Sequence, residues 1–141
     1  MRLTDLPSVL TIENTNYQFP WTEGVFKDCF KAGYSCWVCE ESDSILGFSI
    51  ASFAVGEAHI LNVNVASNEQ NQGIGRMMMK TIIDFARSNK TSTIFLEVRP
   101  SNLPAIHLYN NLGFNEIGIR KGYYPAEYGR EDALMMALEL V

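Results

Sequence analysis

Two clusters in this chain bring together groups able to do chemistry. The first is Gln70-Asn71-Gln72-Gly73-Ile74-Gly75-Arg76, which follows a strand-like run from Ile60 to Val65 and opens a helical one. Its glycines let the backbone turn tightly and approach a ligand. Successive N–H groups at the start of a helix then hold a pyrophosphate without a charged side chain. The second cluster is Glu97, Asn102 and Tyr109. Glu97 interrupts an apolar, strand-like run, and two readings stand: a carboxylate paired with a nearby arginine, or a base whose proton affinity is raised by apolar surroundings. Tyr109 follows Asn102 by seven residues, so both fall on one side of a helix. It reads either as a core tyrosine with its hydroxyl bonded or as an acid for a departing thiolate. Asn102 reads as a helix cap or as a contact to a ligand amide. Together the clusters point to a phosphate-bearing cofactor beside acid–base chemistry.

Other chemistries find less support. The glycine loop lacks the Gly-Lys-Ser/Thr closure of a nucleoside-triphosphate loop, and it lacks the third glycine of a dinucleotide fingerprint. His59 and His107 have no ligand spacing to a second His, Cys or carboxylate cluster, so no metal is expected. Cys36 and Cys39 have CxxC spacing, but in a strand residues three apart face opposite ways, and no second Cys/His pair completes a site. No serine or cysteine sits in a nucleophile elbow. Eleven basic against sixteen acidic residues give a formal charge of −5, which argues against a general nucleic-acid binder. The N-terminal residues do not read as a signal peptide, and no apolar run approaches the ~20 residues of a membrane span. Three cysteines, an odd number, fit a reducing cytoplasm. The expectation is a cytoplasmic protein with no membrane and no direct nucleic-acid partner.

The elements that must position these groups are legible in the periodicity. Helical character runs from Thr4 to Thr15 and again from a Thr22 cap through Phe30. Strands are expected over Tyr34–Glu40, Ser44–Val55 and Ala58–Val65. Gly75 to Asn89 is the clearest helix, with Ile74, Met78, Ile82 and Phe85 as its stripe, widened by Met77 and Ala86. The run Met77-Met78-Met79 is expected to pack that helix on the sheet. Thr93–Arg99 is a strand, Pro104–Asn111 a short helix, and Phe114–Tyr123 with Ala133–Leu140 a final strand pair. A strand–loop–helix–strand unit between hairpins predicts one domain over residues 1–141. Its class is α/β (α+β), a mixed, mostly antiparallel sheet flanked by helices, with one parallel crossover.

These motifs, in this order, resemble the GNAT superfamily of N-acetyltransferases. Its fingerprint Gln/Arg-x-x-Gly-x-Gly/Ala is matched by Gln70 to Gly75. Its second motif, Asn-x-x-Ala-x-x-x-Tyr-x-x-x-Gly-Phe, is matched by Asn102, Ala105, Tyr109, Gly113 and Phe114. Further segments are similar to the bacterial ribosomal-protein-alanine N-acetyltransferase family within it: Phe19-Pro20-Trp21, Leu96-Glu97-Val98-Arg99, Tyr123-Tyr124-Pro125 and Gly129-Arg130-Glu131-Asp132-Ala133. The likeness runs from about Thr4 to Leu138. Two departures stand out: the first strand usual in the family is reduced here to little more than Met1-Arg2-Leu3, and Asn64 replaces a small apolar residue.

The resemblance implies acetyl transfer from acetyl-CoA, in a ternary complex, to the N-terminal alanine of a small-subunit ribosomal protein. It implies Glu97 as general base and Tyr109 as general acid. It also implies Val63, Asn64 and Val65 on the strand holding the acetyl-pantetheine arm, between splayed parallel strands. Asn71, Gln72, Gly73, Ile74, Gly75 and Arg76 would hold the pyrophosphate, with Asn102 a further cofactor contact. Phe19, Trp21 and Tyr124 are the expected peptide-binding walls. An α-amine, whose ordinary pKa is about 7.7–8.0, costs roughly 1 kcal/mol to deprotonate at pH 7, against about 4–5 for lysine. That favours a terminal amine without excluding a lysine or small-molecule amine as the acceptor. A non-catalytic acetyl-CoA-binding module is the remaining alternative.

Overall fold

The computed structural model describes residues 1–140. A short 3-10 turn at Leu3–Asp5 leads into α1 (Leu6–Asn16), followed by α2 (Glu23–Lys31). Three strands follow, β1 (Ser35–Glu41), β2 (Ser44–Ala54) and β3 (Glu57–Val65). Then come α3 (Ile74–Ser88), β4 (Thr93–Val98), α4 (Leu103–Asn111), β5 (Asn115–Pro125) and β6 (Arg130–Glu139). Among the described residues the strands form one six-stranded sheet in the order β1-β2-β3-β4-β6-β5, in which only β3 and β4 run parallel. The mixed, mostly antiparallel class expected from the sequence is the one observed.

Met1-Arg2-Leu3 forms no residual first strand. Asp5 accepts the Arg2 N–H at 2.7 Å and winds this segment into the turn, while the terminal ammonium donates to the Cys36 carbonyl at 2.7 Å. Thr22 caps α2 as expected, its Oγ1 accepting the Val25 N–H at 3.4 Å. Leu6, Val9 and Ile12 of α1 join Phe26 and Cys29 of α2 in a core against Cys36, Phe48 and Ile50. The opposite face of the sheet carries the larger core, where Met79, Ile82 and Ala86 of α3 meet Ala58, Ile60, Ile94, Leu96 and Met136.

The buried stripe of α3 is rotated from the expected one. Met78, Met79, Ile82, Ile83 and Ala86 are buried, whereas Met77 is 48% exposed. Phe85 lies at the margin, edge-on to Trp37 and Phe53 at 5.0 Å each. Aromatic neighbours on β1 and β2 reach out to Phe85, so the helix need not turn it inward.

What opens the sheet is a β-bulge. Ile50 faces Asn62 but Ala51 faces Ile60, so Leu61 is an extra residue in β3. A bulge bends its strand and reverses the alternation beyond it. Ala58 and Ile60 point into the α3-side core, while Asn62 and Asn64, which would follow them, turn instead toward α1. Parallel pairing of β3 with β4 ends at the same place, at Ile60 opposite Leu96. Past it β3 stays paired to β2 as far as Val65, and β4 stays paired to β6 as far as Val98. The two central strands therefore part like a wedge.

Candidate active site

A cleft of about 650 Å³ occupies that wedge. Its floor is Ile60 to Val63 of β3 and Leu96 to Arg99, the last residues of β4 and the one beyond. Glu13, Asn16 and Tyr17 at the end of α1 close one side, with Phe19 and Trp21 beyond them; Asn102 and Tyr109 of α4 close another. Tyr124, Pro125 and Glu131 form the wall from the β5–β6 end. Asn64, Val65 and residues 71–76 lie outside this lining. In an extended strand alternate N–H and C=O groups point to either neighbour. Beyond the bulge half of those on β3 thus face the wedge with no strand to pair with, a ladder suited to an extended amide-bearing chain.

Glu97 and Tyr109 arrive from opposite sides of the sheet. On β4, Leu96 and Val98 enter the α3-side core, so Glu97 projects from the other face; Tyr109 stands on α4 and packs against that same core. The splay lets both line one cleft. Glu97 is not in apolar surroundings. Its side chain is 8% exposed, its Oε2 is hydrogen-bonded to His59 Nε2, and its Oε1 lies 3.4 Å from Arg120 Nε. The arginine-paired reading of this carboxylate is realised, with a histidine added. Sequence spacing missed the His59 contact because it is made between strands, diagonally across the His59–Phe95 register pair.

Three phenols share the cleft. Burial, reinforced by Tyr17 and Tyr124, raises the proton affinity of Tyr109 far above the ordinary phenol value. Tyr124 is raised in the same direction by burial and by Tyr123 and Glu97, with Arg99 opposing. Tyr17 is pushed up to about 12 by burial and the Glu13 charge. All three stay protonated at any working pH, so each is a donor. A sulfur leaving in the same dry space has its own proton affinity raised, which brings donor and acceptor closer together.

A polar network under the bent part of β3 gives Asn64 its role. Glu13 is only 1% exposed and faces no cation among the described residues. It accepts the Trp21 N–H at 2.8 Å, Asn62 Nδ2 at 3.0 Å and Asn64 Nδ2 at 3.2 Å. Asn16 Nδ2 donates to Asn64 Oδ1 and to the Val65 carbonyl, both at 2.6 Å. The Asn64 side chain thus braces α1 against β3 and is turned away from the wedge. Gln70 Nε2 adds a second donor to the Val65 carbonyl at 3.2 Å.

The glycine loop has the geometry of an anion cradle. Asn71 and Gly73 both adopt positive φ, 65° and 83°. Gly73 is the N-cap of α3 and supplies no side chain to it. The first intrahelical bond is Met77 N–H to the Gly73 carbonyl at 3.0 Å. The N–H groups of Ile74, Gly75 and Arg76 precede it, at the positive end of a fifteen-residue helix. Asn102, by contrast, spends its side-chain oxygen on capping α4, accepting the Ala105 N–H at 3.4 Å, although it also lines the cleft.

Arg99 organises the outer wall. Its Nη1 donates to the Pro125 carbonyl at 2.9 Å and to Glu131 Oε1 at 3.0 Å, and its guanidinium lies 4.4 Å from the Tyr124 ring centre and 6.0 Å from that of Phe19. Burial opposes the charge on Glu131, but hydrogen bonds from Ser101 and Arg99 outweigh it and hold the carboxyl below the usual range. Trp21 lines the cleft while packing edge-on against Phe26 at 5.3 Å, so it serves the core as well.

A wedge between parallel strands, beside a helix N-terminus whose first N–H groups have no partner within the helix, is the architecture of acyl-CoA-dependent transferases. The sequence profile of the acetyltransferase (GNAT) family matches residues 6–114, and the chain belongs to that family. It is an acetyl-CoA-dependent N-acetyltransferase. It is 39% identical over 140 residues to the [ribosomal protein bS18]-alanine N-acetyltransferase of Escherichia coli (strain K12), covering 99% of this chain and 95% of that one. It is 36% identical over 137 residues to the enzyme of the same description from Haemophilus ducreyi, covering 96% and 94%. The crystal structure of the ribosomal-protein-S18-alanine N-acetyltransferase from Escherichia coli superposes with a TM-score of 0.92, at 39% identity over 99% of this chain and 90% of that one. Ard1 from Thermoplasma volcanium superposes at 0.91 with 25% identity, over 100% and 95%.

Proposed function

We propose that this enzyme acetylates the α-amine of the N-terminal alanine of the small-subunit ribosomal protein bS18, in the cytoplasm. The observation that carries this reading is the 39% identity, sustained over 99% of the chain, with an Escherichia coli enzyme described by that activity. No helix of the described residues is long and apolar enough to cross a membrane.

When bound, acetyl-CoA supplies an electrophilic thioester carbonyl and a thiolate leaving group. The N–H groups of Gly73 to Arg76 would receive its diphosphate, with Asn71 and Gln72 shaping that turn. The wedge-facing backbone of β3 from Leu61 to Val65, Val63 to Val65 in particular, would pair with its amide-bearing arm, and Asn102 would flank it from α4. A β3 N–H near Val65 would meet the oxyanion that develops on the carbonyl. Glu97 removes a proton from the peptide's terminal ammonium. Tyr109, across the cleft, donates its phenolic proton to the departing sulfur. Phe19, Trp21 and Tyr124, with the guanidinium of Arg99 held among them, form the wall against which the peptide lies.

The test compares a peptide beginning with alanine and containing one lysine with the same peptide blocked at its N-terminus, reading the position of the acetyl group by mass spectrometry. Acetylation of the free terminus alone is expected. Equal rates on the two peptides would refute the assignment. Glu97→Gln and Tyr109→Phe are each expected to lower kcat by about 10²–10⁴-fold, the usual worth of a positioned acid or base. Unchanged turnover in both would point to a binding module instead.

A further inference from the structure

We propose that His59 is the proton outlet of the active site, passing to solvent the proton that Glu97 takes from the substrate amine. This rests on the assignment of Glu97 as the base. Three observations carry it. His59 Nε2 is hydrogen-bonded to Glu97 Oε2. The Glu97 side chain is 8% exposed and that of His59 34%. And Glu97 lines two separate spaces: the 650 Å³ cleft and a hollow of about 340 Å³ that His59 also lines. The carboxylate is therefore a partition, with the reacting amine on one side and the imidazole on the other.

A base at the floor of a narrow cleft has a disposal problem. Two substrates displace the water that would otherwise carry its proton away, and a base that stays protonated cannot act again. The hollow offers a way out on the far side. The groups facing the pair favour this direction. Arg120, from β5, stands at Glu97 Oε1 and holds negative charge there, leaving Oε2, the oxygen that faces His59, as the better site for the proton. Glu57 of β3 lines the same hollow and is the other carboxylate there. The phenol of Tyr124 lies near Glu97 and stays protonated. β2 contributes Ser52, and β6 contributes Met135 and Met136, none of which ionises. An imidazole is also the side chain suited to exchange protons near neutrality.

The protons balance as follows. One N–H bond of the α-ammonium breaks as its proton moves to Glu97, freeing the lone pair that forms the new N–C bond. As the C–S bond breaks, Tyr109 protonates the sulfur, and the second proton lost by the acylated nitrogen makes good the one Tyr109 gave. At rest His59 Nε2–H donates to the carboxylate. Once Glu97 is protonated, solvent exchange at the ring moves the His59 proton to Nδ1, and the O–H bond at Glu97 Oε2 breaks as the freed Nε2 takes the proton. His59 then releases the Nδ1 proton to water in the hollow, which restores the resting pair. One proton reaches solvent per amine deprotonated, and His59 touches no substrate: it acts through Glu97.

A histidine that merely braces Glu97 would be replaced well by glutamine, whose N–H can donate to Oε2 but which cannot relay a proton. The experiment measures kcat, both KM values and melting temperature for the wild type, His59→Gln, His59→Ala and Glu97→Gln, between about pH 6 and 9. Imidazole and methylated imidazoles of differing pKa are added to each. Both His59 variants are expected to lose about ten-fold in kcat at neutral pH, below the full worth of a primary base, with KM values and melting temperatures close to wild type. Added imidazole should restore His59→Ala saturably, and the restored rate should track the pKa of the imidazole used. Full kcat in His59→Gln, or a loss in His59→Ala that no imidazole relieves, would overturn the proposal. Glu97→Gln separates the two inferences: full turnover there would overturn the base assignment itself, whereas an inactive Glu97→Gln beside a fully active His59→Gln would overturn the outlet alone.

Discussion

Replacing Glu13 with alanine tests the idea that a buried carboxylate on α1 keeps the central strands apart. Glu13 accepts from the Trp21 N–H and from the amides of Asn62 and Asn64, at 2.8, 3.0 and 3.2 Å. Alanine strands all three donors, and a buried donor left unsatisfied costs about 1–3 kcal/mol. Glu13 borders the cleft, so water can enter and relieve part of this, which places the total near the lower bound of about 3 kcal/mol. For a chain of this size about 3 °C of melting temperature is lost per kcal/mol, so a drop of about 10 °C is expected by calorimetry. Glu13→Gln keeps an acceptor for the two asparagines but sets an NH2 against the Trp21 N–H, and should lie between, at about 1–2 kcal/mol. Because the same amides fix β3 in its bent course, KM for acetyl-CoA should rise about five-fold in Glu13→Ala, equivalent to about 1 kcal/mol. A double-mutant cycle with Asn62→Ala isolates the contact, with a coupling of at least about 0.5 kcal/mol expected. A Glu13→Ala protein that melts within about 2 °C of wild type and keeps its KM would refute the reasoning, since the carboxylate would then contribute neither satisfaction nor shape.

Three further outcomes are expected. Gly73→Ala meets no atom within 4 Å of the added carbon but keeps a φ of +83°, so its cost is backbone strain of about 1–2 kcal/mol; titration calorimetry should show weaker CoA binding with the peptide KM unmoved. Arg99→Lys retains the charge but loses the planar contact with Tyr124 and the paired bonds to Pro125 and Glu131; peptide KM should rise about three- to ten-fold with kcat near wild type, by steady-state kinetics. The phenols set an alkaline limit. The folded-state value of Tyr17 is raised to about 12 from 10.0, so its stabilisation is complete below pH 10 and is lost as pH rises from there toward 12, where only the unfolded chain has released the proton. Melting temperatures across that range should fall, and Tyr17→Phe should flatten the fall.

The sheet, its one parallel pair and the glycine turn that opens α3 are legible in the sequence because each is written in local pattern: alternation in β4, glycines before α3, a threonine cap before α2. The departures share one cause, which is that contacts between elements carry no local signature. The alternation of a regular strand fails in β3 at Leu61, since a bulge depends on the register with β2 and no residue in Leu61-Asn62-Val63 announces it. Yet that single insertion sets the site. It ends the parallel pairing, turns Asn62 and Asn64 toward Glu13 and leaves backbone groups facing the wedge. His59 has no partner at any telling spacing in sequence, because its partner lies across the parallel pair. The order along β3 and β4 then makes sense as a gradient. His59 sits where the strands are still paired, where an imidazole can reach Glu97 across the register. Asn62 and Asn64 sit past the bulge, where α1 can hold the strand aside. Moving the extra residue two positions later would carry the pairing on to Asn62 and narrow the floor that Glu97 and Tyr109 share.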